Sequence, residues 1–123
     1  MTKRILIADD DDDLRQALEQ FLELEGFAIV GASDGRAALN LIHETGDDLI
    51  LLDFAMPGAH GLDVLASLHS LRPEVPIIMM SGETGRTTVA SALDHGAYDF
   101  ILKPFNDESM LTTVKRALGL VNN

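Results

Sequence analysis

Five short runs of apolar residues, each followed by a segment with helical spacing, constrain the fold of this chain more than any other feature. A strand that is buried on both faces of a parallel sheet reads as a continuous apolar run, whereas a strand with one wet face alternates. The runs are therefore predicted to be buried strands. They lie at residues 5–8, 28–30, 49–52, 77–80 and 100–102.

The segment after the first run has the spacing of one helix face, with apolar residues three or four positions apart. Asp12 or Asp13 is expected to cap this helix, and Gly26 is a stop signal. The apolar stripe consists of Leu14, Ala17, Leu18, Phe21 and Leu22.

Two further helices are predicted in the middle of the chain. The second is expected to be capped by Ser33 or Asp34 and to continue to about Glu44. The third is predicted over residues 62–71, where leucines recur at helical spacing, and Pro73 closes it.

The fourth helical segment, residues 84–95, is the weakest, because it is rich in Thr and Gly and has few large apolar residues. It is predicted to be either mobile or simply an exposed helix. Asn106 is predicted to cap the fifth helix, which has an acidic first turn and a basic last turn, as the helix dipole favours. Five strands alternating with five helices predict an α/β domain with a central parallel sheet and right-handed crossovers. The 123 residues suit one such domain, and no second domain is expected.

The composition narrows the possible partners. Asp+Glu number 20 against Lys+Arg 9, a formal net charge of −11, which argues against direct binding to nucleic acid or to an anionic membrane. There is no cysteine, so disulfides, thiolate metal sites and thiol catalysis are excluded. The first apolar run is too short for a signal peptide or a membrane span, and the cytoplasm is the expected location.

Polar side chains stand where the predicted strands end. Asp9 and Asp10 follow the first strand, Asp53 the third, Ser81 the fourth and Lys103 the fifth. Because sites in parallel sheets form at the carboxyl ends of the strands, these groups are expected to converge. Three crowded carboxylates repel one another unless a cation intervenes, and oxygen ligands alone favour Mg²⁺. A carboxylate placed beside Mg²⁺, a lysine and a hydroxyl is well arranged to accept a phosphoryl group.

Four segments carry these residues in order along the chain. They are ILIADDD at 5–11, LLDFAMPG at 51–58 followed by Gly61, IMMSG at 78–82 and LKPF at 102–105. Each segment alone is common, but the four together, in this order and spacing, resemble the receiver (phosphoacceptor) domain of two-component response regulators. The resemblance covers about residues 3–121.

The resemblance implies a flavodoxin-like (βα)5 fold with strand order 2-1-3-4-5, an order that receivers exemplify. It implies that Asp53 is the phosphoacceptor, supplied by a histidine kinase or a histidine phosphotransfer protein. It also implies that Asp10 and Asp53 ligate Mg²⁺ directly, that Asp9 assists, and that the backbone carbonyl of Ala55 is a further ligand.

By the same resemblance, Ser81 binds a phosphoryl oxygen after switching, and Lys103 pairs with the phosphoryl group, with a cis peptide bond to Pro104. Phe100 takes the place of the switch aromatic. The face formed by the fourth helix, fifth strand and fifth helix is expected to control a protein partner or an attached output domain, and homodimerisation through it is possible. Such a domain is not an enzyme with an external substrate, although it assists its own phosphorylation and autodephosphorylation.

The sequence departs from the usual receiver pattern at several positions. Ala55 stands where many receivers have a polar side chain, so a side-chain influence on attacking water is lost there. Glu83, two residues after Ser81, is the candidate to supply part of it. Phe100 lacks the hydroxyl of a tyrosine, so its burial on activation needs no new hydrogen-bond partner. His60 stands where the family often has Asp, and no role is assigned to it.

Two other functions fit parts of the sequence. One is an interaction module that binds partners without phosphorylation, against which the intact set of site residues argues. The other is a haloacid-dehalogenase-type phosphatase, for which Asp9 and Asp11 have a suitable spacing and in which Asp53 would be incidental. That class usually has a longer chain and a cap.

Overall fold

The strands and helices lie close to the positions that the alternating pattern predicts. The computed structural model describes residues 2–44, 46–56, 59–82 and 86–120. The strands of the main sheet are β1 (Arg4–Ala8), β2 (Ala28–Ala32), β3 (Leu49–Asp53), β4 (Ile77–Ser81) and β5 (Asp99–Leu102). The helices are α1 (Asp12–Leu24), α2 (Gly35–Leu41), α3 (Gly61–Leu71), α4 (Arg86–Asp94) and α5 (Asp107–Ala117).

The five strands are parallel and pair in the order β2-β1-β3-β4-β5. The predicted α/β class and the strand order implied by the resemblance are therefore confirmed. The chain moves outward from β1 to β2 and then returns to the other side of β1 to form β3. The carboxyl ends of β1 and β3 consequently lie side by side, which is the kind of position where α/β sheets build their sites.

Both faces of the sheet are covered, which explains why the strands read as continuous apolar runs. On one face, Leu6 and Leu52 pack in a buried cluster with α2 and α3. On the other face, Ile7 and Leu51 pack in a second cluster that includes Leu18 of α1 and residues of α5. Alternate residues of each strand thus belong to different layers of the core.

Two details of the helices differ from the predictions. Asp11, and not Asp12 or Asp13, caps α1: its backbone is extended, and its side chain accepts a hydrogen bond from the N–H of Leu14 at 3.1 Å. Asp12 and Asp13 already have helical positions. Helix α2 ends at Leu41 and not near Glu44, because the chain tightens into a turn in which the Glu44 N–H bonds the Leu41 carbonyl.

Other predicted boundaries are confirmed. Asp34 and Asn106 cap α2 and α5 through side-chain hydrogen bonds to first-turn N–H groups, at 2.8 and 2.7 Å. Gly26 follows α1 with φ +99°, a conformation that favours glycine. In α4, Ala92 is the only buried residue among the side chains that the structure describes, which agrees with the expected thin burial of this helix. Burial does not measure motion, and the mobility of α4 stays a prediction. Within the described residues, no helix has the length and apolar character needed to cross a membrane.

Candidate phosphoacceptor and metal site

The polar residues at the carboxyl ends of the strands form one cluster. Sheet register brings this about, since Ala8 pairs with Leu52 and the next residues are Asp9 and Asp53. Carboxylate oxygens of Asp9, Asp10 and Asp53 lie within 4.8 Å of one another. Asp9 and Asp53 are buried, whereas Asp10 is exposed at the rim. The predicted convergence of three carboxylates is therefore present.

Lys103 joins the two buried carboxylates. Its Nζ donates to Asp9 Oδ2 at 2.9 Å and to Asp53 Oδ1 at 3.2 Å. The lysine follows β5 directly, and its peptide bond to Pro104 is cis, as the resemblance implied. One ammonium thus faces at least two carboxylates in a partly buried pocket.

The pKa values of the pocket reflect this imbalance of charge. The pKa of Asp53 is raised to about 6, because burial and then the Asp9 carboxylate outweigh the opposing effect of Lys103. Burial acts to lower the pKa of Lys103, but its bonds and charge interactions with Asp9 and Asp53 prevail and raise it. The pocket therefore favours additional positive charge.

The donor set fits a hard divalent cation. All the candidate side-chain ligands are carboxylates, and that of Asp10 is exposed to solvent. The three carboxylates together have more negative charge than the single positive charge of Lys103 can balance. Such oxygen-rich, partly solvated clusters suit Mg²⁺, which keeps some of its waters. Burial first and the Asp9 carboxylate second raise the pKa of Asp53, and a bound cation would oppose both effects by favouring the ionised carboxylate.

Asp9 is held by four hydrogen bonds. Its N–H donates to the carbonyl of Ala32 at 3.0 Å, and its Oδ1 accepts from the N–H of Asp11 at 2.9 Å. Its carbonyl accepts from Arg15 Nη1 at 2.7 Å, and its Oδ2 accepts from Lys103. Sequence reasoning missed Arg15, because its bond to the main-chain carbonyl of Asp9 leaves no signal in the spacing of side chains.

The segment after Asp53 forms a short antiparallel ladder that was not predicted. Ala55 pairs with His60 in this ladder, and Ala55 is close to the acceptor, its N–H lying 3.5 Å from Asp53 Oδ1. Gly61 follows at the start of α3, and a Cβ there would collide with the carbonyl of Phe54. The glycine thus allows the loop that carries Ala55 to fold back onto α3.

His60, which had no assigned role, caps α3. Its Nδ1 accepts a hydrogen bond from the N–H of Leu62 at 3.3 Å, and its ring meets that of Phe54 edge-on, with centroids 6.2 Å apart. A ring nitrogen thus supplies the acceptor that an Asp side chain supplies at many N-caps. Pro57, Gly58 and Glu83 lie outside the described residues, so the expectation for Glu83 stays a prediction.

Ser81 and Phe100 lie on the strands beside the pocket. Ser81 is buried at the end of β4, and its carbonyl accepts the N–H of Lys103 at 2.7 Å, so the two predicted phosphate-binding residues are linked through the backbone. Phe100 is half-buried in β5 and packs against the core layer of α2 and α3.

Dehalogenase-type use of Asp11 finds no support in this geometry. Asp11 is exposed, and its carboxylate is engaged as the cap of α1. Asp53 by contrast is buried beside Lys103. The five-stranded parallel sheet and the acidic site at its carboxyl edge together define a receiver-like domain.

Comparison with known proteins establishes the family. The sequence-family model of the response regulator receiver domain matches residues 5–115, and the chain belongs to this family. It is 37% identical over 117 residues to the regulatory protein AtoC of Escherichia coli, covering 95% of this chain and 25% of that protein. It is 38% identical over 118 residues to the DNA-binding response regulator MtrA of Mycobacterium tuberculosis, covering 96% of this chain and 51% of that protein. The chain thus spans about a quarter to a half of the length of these relatives.

Solved structures agree with this assignment. A CheY-like receiver domain protein from Methanospirillum hungatei superimposes with a TM-score of 0.93 at 33% identity, covering 97% of this chain and 95% of that one. The receiver domain of NtrX from Brucella abortus gives a TM-score of 0.88 at 35% identity, covering 95% and 99% of the two chains. The flavodoxin-like fold and membership in the two-component signalling family are therefore established.

Proposed function

We propose that this chain is a single receiver domain over residues 1–123 that accepts a phosphoryl group on Asp53 from a histidine kinase or a histidine phosphotransfer protein. The observation that carries the proposal is the placement of Asp53, buried beside Asp9 and Asp10 and hydrogen-bonded to Lys103. Among the described residues, the Asp53 carboxylate bonds Lys103 and lies 3.5 Å from the N–H of Ala55, and a carboxylate placed in this way is well suited to act as a nucleophile.

The proposed metal is Mg²⁺, held by the carboxylates of Asp10 and Asp53, by Asp9 with a more indirect role, and by the carbonyl of Ala55. The carboxylate cluster and the return of the Ala55 loop onto α3 support this set. When bound, Mg²⁺ neutralises charge on the phosphoryl oxygens and on the crowded carboxylates.

Asp53 is the nucleophile of the proposed transfer. One of its carboxylate oxygens forms a bond to phosphorus while the P–N bond of the donor phosphohistidine breaks, and the imidazole nitrogen keeps the electron pair and is protonated by solvent. Lys103 transfers its hydrogen bond from Asp53 Oδ1, now 3.2 Å away, to a phosphoryl oxygen on the same residue. Positioning and charge stabilisation make up most of the catalysis in such transfers.

Ser81 and Phe100 are proposed to transmit the change. The Ser81 hydroxyl binds another phosphoryl oxygen, and the backbone bond between Ser81 and Lys103 couples the ends of β4 and β5. Phe100 on β5 then turns inward, and the face of α4, β5 and α5 is reshaped as a population shift. A protein partner, an attached output domain or a second copy of the domain reads this face. The domain assists its own phosphorylation and autodephosphorylation, and the proposed location is the cytoplasm.

The test is incubation with a small phosphodonor such as acetyl phosphate, with Mg²⁺ or with EDTA, followed by intact-mass spectrometry. The expected result is the mass of one phosphoryl group on the wild-type protein, which requires Mg²⁺ and disappears in Asp53→Asn. Equal labelling of Asp53→Asn would overturn the assignment of the acceptor. A partner that binds equally with and without phosphodonor would favour a phosphorylation-independent interaction module.

A further inference from the structure

Arg15 is a cation beside the acidic pocket, and none of the roles above uses it. It lies in α1, and its side chain is only 13% exposed although arginine is usually a surface residue. Nη1 donates to the carbonyl of Asp9 in the β1–α1 loop at 2.7 Å. Nη2 bonds Asp12 at 2.8 Å, and Nε lies 3.9 Å from Glu19. The guanidinium therefore joins the β1–α1 loop to the body of the helix.

We infer that Arg15 is a positioning residue for the metal site, which holds the Asp9 carbonyl and so fixes the direction of the Asp10 carboxylate. This inference rests on the proposed function of the pocket. The carbonyl of Asp9 belongs to the peptide plane that leads into Asp10, and a fixed plane limits where the Asp10 Cβ can point. The other three polar groups of Asp9 bond Ala32, Asp11 and Lys103. Arg15 thus completes the fixation of the residue that precedes the exposed ligand.

The surroundings of Arg15 indicate that it affects the metal site by fixing the loop and not by its positive charge. Asp12 and Glu19 lie against the guanidinium and offset its charge, which would otherwise repel a cation in the pocket. Strand β2 leaves space for this arrangement at Gly31, where a Cβ would collide with the Glu19 carboxylate and would lie 3.5 Å from Arg15 Cδ. Residues that orient metal ligands typically change metal affinity by about 10–100-fold when they are replaced.

The test compares Arg15→Met, which keeps the apolar stem but loses every donor, with Glu19→Gln, which keeps the Arg15–Asp9 bond. The Mg²⁺ dissociation constant is measured by titration of amide chemical shifts at fixed ionic strength, and hydrogen exchange of the Asp10 and Asp11 amides is measured in the metal-free protein. Arg15→Met is expected to raise the dissociation constant by about 10-fold and to speed exchange in this loop. Arg15→Lys, which keeps a single donor nitrogen, is expected to recover part of the affinity, and Glu19→Gln is expected to bind Mg²⁺ as the wild type does.

An Arg15→Met protein with a lower melting temperature but the wild-type Mg²⁺ dissociation constant would show a merely structural arginine and would overturn the inference. If Arg15→Met does not fold, Arg15→Gln, which is too short to reach both partners, is judged by the same criterion. Failure of the proposed function is distinguishable, because the wild-type protein itself would then bind no Mg²⁺ at this pocket. In that case, unchanged exchange of the Asp10 and Asp11 amides in the metal-free Arg15 variants would overturn the inference on its own.

Discussion

Replacing Asp53 with Asn is expected to stabilise the metal-free protein at neutral pH, although the substitution abolishes the proposed phosphoacceptor. The native carboxylate is buried beside Asp9, and its pKa is raised to about 6. A carboxylic acid whose pKa is raised on folding stabilises the fold only while it is protonated, so its ionisation above pH 6 opposes folding. Asn removes this ionisation and keeps the approximate shape of the side chain.

The size of the effect follows from the shift. Folding raises the pKa of Asp53 from 3.8 to about 6, a shift of roughly 2 pH units. At about 1.4 kcal/mol per unit, ionisation of Asp53 lowers the free energy of unfolding by up to about 3 kcal/mol at pH 8. At pH 5 the unfolded chain is ionised but the native Asp53 is largely protonated, and the cost falls to roughly half of that value. The shift already includes the attraction between Lys103 and the carboxylate, so no further deduction applies, and the gain expected for Asp53→Asn at pH 8 is up to about 3 kcal/mol.

The assay is urea unfolding followed by circular dichroism in EDTA, at pH 8 and at pH 5. The free energy of unfolding of Asp53→Asn is expected to exceed that of the wild type at pH 8, with a smaller excess at pH 5. Glu23→Gln, which removes one exposed carboxylate from α1, is the matched control and should change stability by less than about 0.5 kcal/mol. An Asn variant that is no more stable than the wild type at pH 8, or a gain equal to that of the control, would refute the claim that burial and the Asp9 charge make ionised Asp53 unfavourable.

Three further outcomes are expected from the same geometry. Saturating Mg²⁺ should raise the melting temperature of the wild type at pH 8. The increase should be smaller at pH 5, because protons compete with the metal for Asp53, and an equal increase at both pH values would contradict this. Lys103→Met should lower the free energy of unfolding by about 1–3 kcal/mol in EDTA, because it leaves Asp9 and Asp53 facing each other, and unchanged urea melting would contradict it. Gly61→Ala should cost about 1–3 kcal/mol and weaken Mg²⁺ binding, since its Cβ meets the loop that carries the proposed carbonyl ligand. Gly46→Ala, which meets no atom within 4 Å, is the control for that variant, and equal stability of the two alanine proteins would show the loop to be tolerant.

The strands and the convergence of the site residues could be predicted because both depend on properties that the sequence states directly. Burial on both faces requires apolar residues at every position of a strand, and the polar residues that end such runs must lie at one edge of a parallel sheet. Asp9, Asp53 and Lys103 were found in this way. The resemblance to receivers then supplied roles and the strand order, which periodicity does not contain.

The features that were missed depend on contacts that no spacing encodes. Arg15 bonds a main-chain carbonyl six residues earlier, and nothing in the pattern of side chains marks that carbonyl as accessible. His60 caps a helix through a ring nitrogen, which is an unusual acceptor for that position. Five consecutive Asp residues lead into α1 and only the last two belong to it, so composition alone could not select Asp11 as the cap.

The most direct test of the central claim is to locate the phosphoryl group after incubation with phosphodonor and Mg²⁺. Reduction of the aspartyl phosphate with borohydride, followed by peptide mass spectrometry, converts the modified residue to homoserine and identifies it. The account predicts homoserine at position 53 in the presence of Mg²⁺, and its absence when EDTA replaces the metal. Homoserine at position 9, 10 or 11 in place of 53, or modification that is independent of Mg²⁺, would contradict it.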